Sequence, residues 1–216
     1  MATMLLKEKF EKGLIEPGTY IRGFKPDYAE CILSPGETGF EKNQVLNTEA
    51  NMKWQLVCID GQLALLADRK TVQKIFLKGE IGVQKGVVAL QKYSQTCYSS
   101  ERFHAKGIIL TKEQFKQLPQ TLKWSVFYYW LGSSYHDDGK EYSGYGLYSV
   151  IERSIYGNDL FRPNNLYSRN VCKGKSVRLA VILQDDIMID DKNKLVDEKS
   201  QKKLKHMDKW INRKGY

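Results

Sequence analysis

Residues 54–68 read WQLVCIDGQLALLAD. Two apolar, strand-prone runs flank Asp60-Gly61, and Asp-Gly supplies the positive φ angles of a type I′ turn, whose twist matches a two-residue hairpin. The stretch is therefore predicted as a β-hairpin. Both runs are almost continuously apolar rather than alternating, which places the hairpin centrally in a sheet covered on both faces.

Moving outward, GVQKGVVALQKYSQTCYSS (82–100) changes period. Val83, Val87, Leu90, Ser94 and Cys97 recur at spacings of four and three, the apolar stripe of a helix that packs on the hairpin or its sheet. In LTKEQFKQL (110–118), Thr111 is a natural N-cap and Gln114 stands at the capping-box position. Leu110 can staple onto Phe115, and Pro119 keeps this helix brief. Upstream, LLKEKFEKG reads as a short helix closed by Gly13, IEPGTYIRGF as a turn and an extended run, and 25–50 as loop with short strands. After residue 123 the segments KWSVFYYWLGSS, GYGLYSVIERS and SVRLAVILQDDIMID are strand-like, joined by loops rich in Tyr, Gly, Ser, Asn and Asp. Strands and helices are segregated, so the fold class is α+β, with small mixed or antiparallel sheets and two or three helices. Residues 14–190 are expected to form a single domain, followed by a basic helix or tail at 195–216.

The chain has 216 residues, 42% hydrophobic and 27% charged, an ordinary globular composition that needs no staples to fold. No stretch approaches the roughly 18 uninterrupted apolar residues of a membrane helix. MATMLLKEKFEKG lacks the apolar core of a secretory signal, so the expected compartment is the inside of a cell and no membrane partner is expected. Cys31, Cys58, Cys97 and Cys172 are widely spaced in apolar or mixed segments, matching neither a zinc motif nor a secreted disulfide framework. They are expected as buried or half-buried thiols. Much of the excess in the net charge of +9 lies near the C-terminus, where Lys199, Lys202, Lys203, Lys205, Lys209, Arg213 and Lys214 face three acids. A solvated helix explains such a run; the alternative is a nucleic-acid or capsid-associated tail.

Chemistry-bearing clusters are few. His104, His136 and His206 are not spaced as a helical metal pair. Cys97 falls on the apolar face of its helix, which favours a packed thiol over a nucleophile partnered by His104. GEIGVQKG lacks the Gly-Lys-Ser/Thr of a phosphate-binding loop. YHDDGKE offers Asp137 and Asp138 beside His136, and YGNDLF offers Asn158 and Asp159; both lack the spacing of a calcium loop and read as polar turns. No catalytic set, metal site or cofactor is assigned. An enzyme of unknown class, built around His136, Asp137 and Asp138, is the weakest alternative. More telling is the composition of 128–170, where Tyr135, Tyr142, Tyr145, Tyr148, Tyr156 and Tyr167 alternate with Ser, Gly and Asn, and Arg162 and Arg169 lie among them. Tyrosine gives large contact area at low entropy cost while Ser, Gly and Asn adapt their hydrogen bonds, which is the composition of binding loops. The candidate binding residues are Tyr135, Asp137, Asp138, Tyr142, Tyr145, Asn158, Asp159, Arg162, Asn165, Tyr167 and Arg169. Packing of the same tyrosines between loops and sheet is the competing explanation.

In order, EPGTYI, MKWQLVCIDGQLALLAD, LKGEIGVQKGV, a Cys-Tyr-Ser helix ending, YWLGSS and SVRLAVIL resemble an uncharacterised family from Gram-positive bacteria, their phages and prophages. That family reads Pro-Gly-Asp-Tyr-Val, a Trp-Arg-Val hairpin strand, Gly-Tyr-Asn-Asn-Gly-Val, Tyr-Trp-Leu-Ala-Ser-Arg and Gly-Val-Arg-Pro-Val-Val-Ser-Leu. The resemblance spans about residues 14 to 190 and lies in the order of its motifs, not in any one of them. Gln84-Lys85 stands where the family has Asn-Asn, Ser134 where it has arginine, and Leu179-Ala180 where it has Pro-Val. A site shared by the family at those positions is altered in this chain. The closing pattern is similar to C-type-lectin-like folds over about 123–190. That similarity implies that the Trp130-Leu131 and Arg178 strands are neighbours across an inserted loop region. Arg178 then alternates away from Val177, Leu179 and Val181, and its guanidinium must meet a carboxylate or carbonyls, because an unpaired buried charge costs several kcal/mol. Trp54, Trp130 and Arg178 are accordingly structural. The resemblance implies a non-enzymatic phage or prophage protein, or virion component, in the host cytoplasm or in a particle, that binds a protein or a surface glycan.

Overall fold

The computed structural model describes residues 3–27, 30–47, 52–68, 75–123, 129–137, 144–151, 154–161, 176–197 and 202. It is a mixed α+β structure. Strand β1 (Thr3–Leu5) runs into helix α1 (Leu6–Glu11), which Gly13 closes at φ 66° as its position requires. After β2 (Tyr20–Ile21), the expected loop with short strands contains β3 (Glu30–Leu33), α2 (Pro35–Thr38) and β4 (Gln44–Asn47). The one-turn helix α2 is held by a capping box between Ser34 and Glu37 and was not predicted. The hairpin is β5 (Trp54–Ile59) and β6 (Gln62–Ala67), with Ile59 opposite Gln62 and φ of 51° at Asp60 and 76° at Gly61. The type I′ expectation therefore holds.

Next come α3 (Gly79–Tyr98), β7 (Ala105–Ile109) and α4 (Lys112–Gln117). The Thr111 hydroxyl accepts from Gln114 N, and the Gln114 side chain accepts from Thr111 N, which completes the predicted capping box. Strands β8 (Tyr129–Asp137), β9 (Gly144–Ile151), β10 (Ser154–Phe161), β11 (Ser176–Val177), β12 (Leu179–Leu183), β13 (Met188–Asp190) and β14 (Leu195–Val196) follow.

These strands form a five-stranded sheet in the order β2-β5-β6-β12-β7, a four-stranded sheet β10-β9-β8-β11, a three-stranded sheet β1-β13-β14 and the pair β3-β4. The predicted hairpin is covered on both faces. Trp54, Leu56, Leu63, Leu65, Leu179 and Val181 share one apolar cluster with Leu90, Tyr93 and Cys97 of α3. Val57, Ile59, Ala64, Leu66 and Ala180 share the other with Phe115, Leu118, Leu122, Tyr129 and Leu131. Each fully buried Leu, Ile or Val in these layers stabilises the fold by about 1.5–3 kcal/mol. Helix α3 lies close on β7, where a Cβ on Gly107 would stand 2.2 Å from the Ser94 carbonyl oxygen.

Four expectations need correction. SVRLAVIL is two strands, not one: β11 pairs in parallel with β8, β12 pairs antiparallel with β6 and β7, and the chain changes sheet at Arg178. Asn158 and Asp159 lie in strand β10 rather than in a polar turn, because antiparallel pairing with β9 satisfies their backbone. For the same reason Tyr135, Asp137 and Tyr145 are strand residues of β8 and β9 rather than loop residues. The described chain has four helices instead of two or three. Of the basic tail, Lys202 is helical, and its other lysines and arginines lie outside the described residues.

Candidate functional site

Strand β8 is anchored at one end and carries the site at the other. Its root is apolar, and Tyr129, Trp130 and Leu131 are fully buried. The indole N–H of Trp130 reaches the Ile75 carbonyl at 3.4 Å. Between Trp130 and Ser134 the pairing with β9 shifts register. There Gly132 N donates to Leu110 O at 2.9 Å, and the Ser133 hydroxyl accepts from Lys112 N at 2.9 Å. The bulge thus turns hydrogen bonding from β9 toward the segment that joins β7 to α4. Space at Gly132 is tight: a Cβ would lie 2.9 Å from Gln91 Nε2, at the end of a flexible side chain, and 3.2 Å from Ile109 O.

Arg178 fixes this root from below. It is 5% exposed, and its Nε donates to Ala67 O at 2.9 Å while Nη1 donates to Leu122 O. Ala67 ends β6 and Leu122 follows α4, so one guanidinium ties the hairpin, the post-helical turn and the sheet change together. The expectation that carbonyls or a carboxylate would receive it is met by carbonyls. Burial pushes the neighbouring Tyr129 hydroxyl up to about 12, with Arg178 pulling the other way. The Tyr129 hydroxyl lies close to the guanidinium without forming a well-aligned hydrogen bond. Trp54, the other residue expected to be structural, is 4% exposed and meets Phe24 edge-on at a centroid distance of 4.9 Å.

Beyond the bulge, Tyr135 pairs with Gly146, His136 with Tyr145 and Asp137 with Gly144. On the far side of β9, Asn158 pairs with Leu147, Asp159 with Gly146 and Phe161 with Tyr145. Tyr135, Asp137, Tyr145, Asn158 and Asp159 are therefore gathered at one end of the four-stranded sheet. Two connections leave from that same end: 138–143, between β8 and β9, and 162–175, which starts after Phe161 and returns to the root at β11. Asp138 and Tyr142 belong to the first; Arg162, Asn165, Tyr167 and Arg169 belong to the second. These six lie outside the described residues.

A second feature had no sequence signal. An open cleft of about 720 Å³ runs along the edge of the five-stranded sheet, lined by Gln62, Glu101, His104, Lys106, Gln184 and Asp185 among others. His104 holds φ 45° there, with Nδ1 3.4 Å from Asp186 Oδ2. No candidate binding residue from the sequence lines it. Among the described residues, no group of three or more His, Cys, Asp or Glu is placed to hold a metal ion, and no helix is long and apolar enough to cross a membrane. No family model, curated protein or solved structure matches the chain.

Proposed function

We propose that this chain is a non-enzymatic binding protein of phage or prophage type, a virion component in one setting, that grips a protein or a surface glycan with the tyrosine-rich end of its four-stranded sheet. The observation that carries the proposal is the register of β8, β9 and β10. It brings Tyr135, Tyr145, Asn158 and Asp159 to the sheet end from which both remaining tyrosine- and arginine-bearing connections depart. Loops presented by a rigid scaffold are common places for binding, and the composition of these connections suits adaptable contact with an extended ligand. The ordered resemblance to a phage and prophage family supports the biological setting. The pairing of β8 with β11 across a long insertion is what a C-type-lectin-like arrangement of residues 123–190 requires, and we extend the proposal to that fold. Fold likeness leaves the ligand open, so the site has to be tested directly.

The test is the triple variant Tyr142→Ala, Tyr145→Ala, Arg162→Ala, assayed against purified virions and against cell-wall glycan from a Gram-positive host. Binding of the parent chain to one of these, lost in the variant with a nearly unchanged melting temperature, is the expected result. Binding that survives all three replacements, or a variant that unfolds far below the parent, would place these residues elsewhere than on a binding surface.

A further inference from the structure

The register of the five-stranded sheet explains the open cleft at its edge. Ile182 stands opposite Ala64 on β6 and Lys106 on β7, and two residues along β12, Ala180 stands opposite Leu66 and Ile108. Alternation along the strands puts these side chains on one face. Phe115, Leu118 and Leu122 cover that face over Leu66 and Ala180, and Ile108 and Ile182 are half-buried at the margin of the cover. Past them the cover ends, and Gln62, Lys106 and Gln184 are exposed and line the cleft. The turn at its rim is fixed in advance. Ser100 and Ala105 exchange both backbone hydrogen bonds at 2.8 Å, and the Asp27 carboxylate accepts from Glu101 N at 2.7 Å and from the Ser100 hydroxyl at 3.1 Å. Phe103 anchors the turn at 2% exposure. A ligand therefore meets a rim that needs no ordering on binding.

Its lining sets the ligand class. Glu101 and Lys106 bring opposite charges, and neither forms an ion pair among the described residues, whereas Asp185 is already held by Lys7 at 2.6 Å. Ile108 and Ile182 give an apolar floor between polar neighbours. Gln62 and Gln184 bring primary amides, each a donor and an acceptor. Elsewhere in this chain such an amide reads a peptide unit in both senses: Gln44 Nε2 donates to Phe76 O at 2.7 Å, and Phe76 N donates to Gln44 Oε1 at 2.9 Å. Among the described residues no Trp, Tyr or Phe lines the cleft, so a sugar ring finds no surface to stack on. Its volume of about 720 Å³ falls within the roughly 300–1,000 Å³ of ligand clefts.

We infer that this cleft is a second binding site, separate from the tyrosine-bearing sheet end, and that it takes an extended peptide segment of a partner protein. The peptide backbone pairs with the Gln62 and Gln184 amides, and an apolar side chain rests on Ile108 and Ile182. An acidic residue on one side of it meets Lys106, and a basic residue on the other meets Glu101.

Positional-scanning pools of capped hexapeptides, added to the isotope-labelled full chain and followed by backbone amide NMR, test this. The expected result is saturable shifts at Lys106, Ile182 and Gln184, and selection of an apolar residue flanked by an acid and a base. With the selected peptide, Gln184→Ala and Lys106→Glu should each weaken binding about tenfold at an unchanged melting temperature, since both residues are exposed. The variant carrying Tyr142→Ala, Tyr145→Ala and Arg162→Ala should bind the peptide as the parent does, so the two sites stand or fall separately. Absence of saturable shifts at the cleft with every pool, affinity untouched in both cleft variants, or cleft shifts produced by a chito-oligosaccharide in place of any peptide would overturn the inference.

Discussion

A guanidinium at 5% exposure persists only where acceptors are fixed in advance, and at Arg178 those acceptors are Ala67 O and Leu122 O. Neither oxygen belongs to a side chain, so the sequence is silent about both. What the sequence does carry is the setting, since an arginine between Val177 and Leu179 within an apolar run has to turn inward and find a partner. Removing it leaves two buried carbonyls without donors and opens a gap beneath Tyr129. Arg178→Ala should therefore lower the unfolding free energy by about 2–5 kcal/mol, read as a drop in the urea midpoint. Arg178→Lys should recover little of this, because one compact ammonium does not span two carbonyls in a fork geometry. A loss below about 1 kcal/mol in Arg178→Ala would mean that water satisfies both oxygens.

Among the elements, those governed by local chemistry were legible. The Asp60-Gly61 turn and the Thr111-Gln114 capping box depend on residues adjacent in sequence, and both form as predicted. The stripe on α3 was legible over its C-terminal part: Leu90, Ser94 and Cys97 are fully buried and Val87 is partly buried. What was hidden depends on contacts across the molecule. Gly157-Asn158-Asp159 has turn composition, yet pairing along β9 holds it extended. Gly107 gives no signal at all, although the Ser94 backbone occupies the space a side chain would need. These two kinds of glycine separate experimentally. Gly107→Ala must push α3 away from β7 and should cost about 1–3 kcal/mol or more in equilibrium unfolding. Gly61→Ala meets open space and suffers only from φ 76°, so it should cost about 1 kcal/mol. Equal costs would show that α3 relaxes freely over β7.

At the scale of the whole molecule, the ends of the described chain meet. β1 pairs with β13, Leu6 N donates to Ile187 O at 2.8 Å, and Lys7 reaches Asp185 at 2.6 Å. No local pattern predicts that closure. The larger organisation was partly visible: an apolar hairpin at the centre of a sheet covered on both faces, a helix packed on it, and a strand-rich second half. Its functional meaning rests on which way the tyrosines of that second half point. Acetylation of the native chain with N-acetylimidazole, read residue by residue by mass spectrometry, measures this without any ligand. Tyr142, Tyr145 and Tyr167 should be modified while Tyr93, Tyr98 and Tyr129, each fully buried, are spared. Protection of the first three to the same degree as the second three would contradict a displayed binding surface and return those rings to the core.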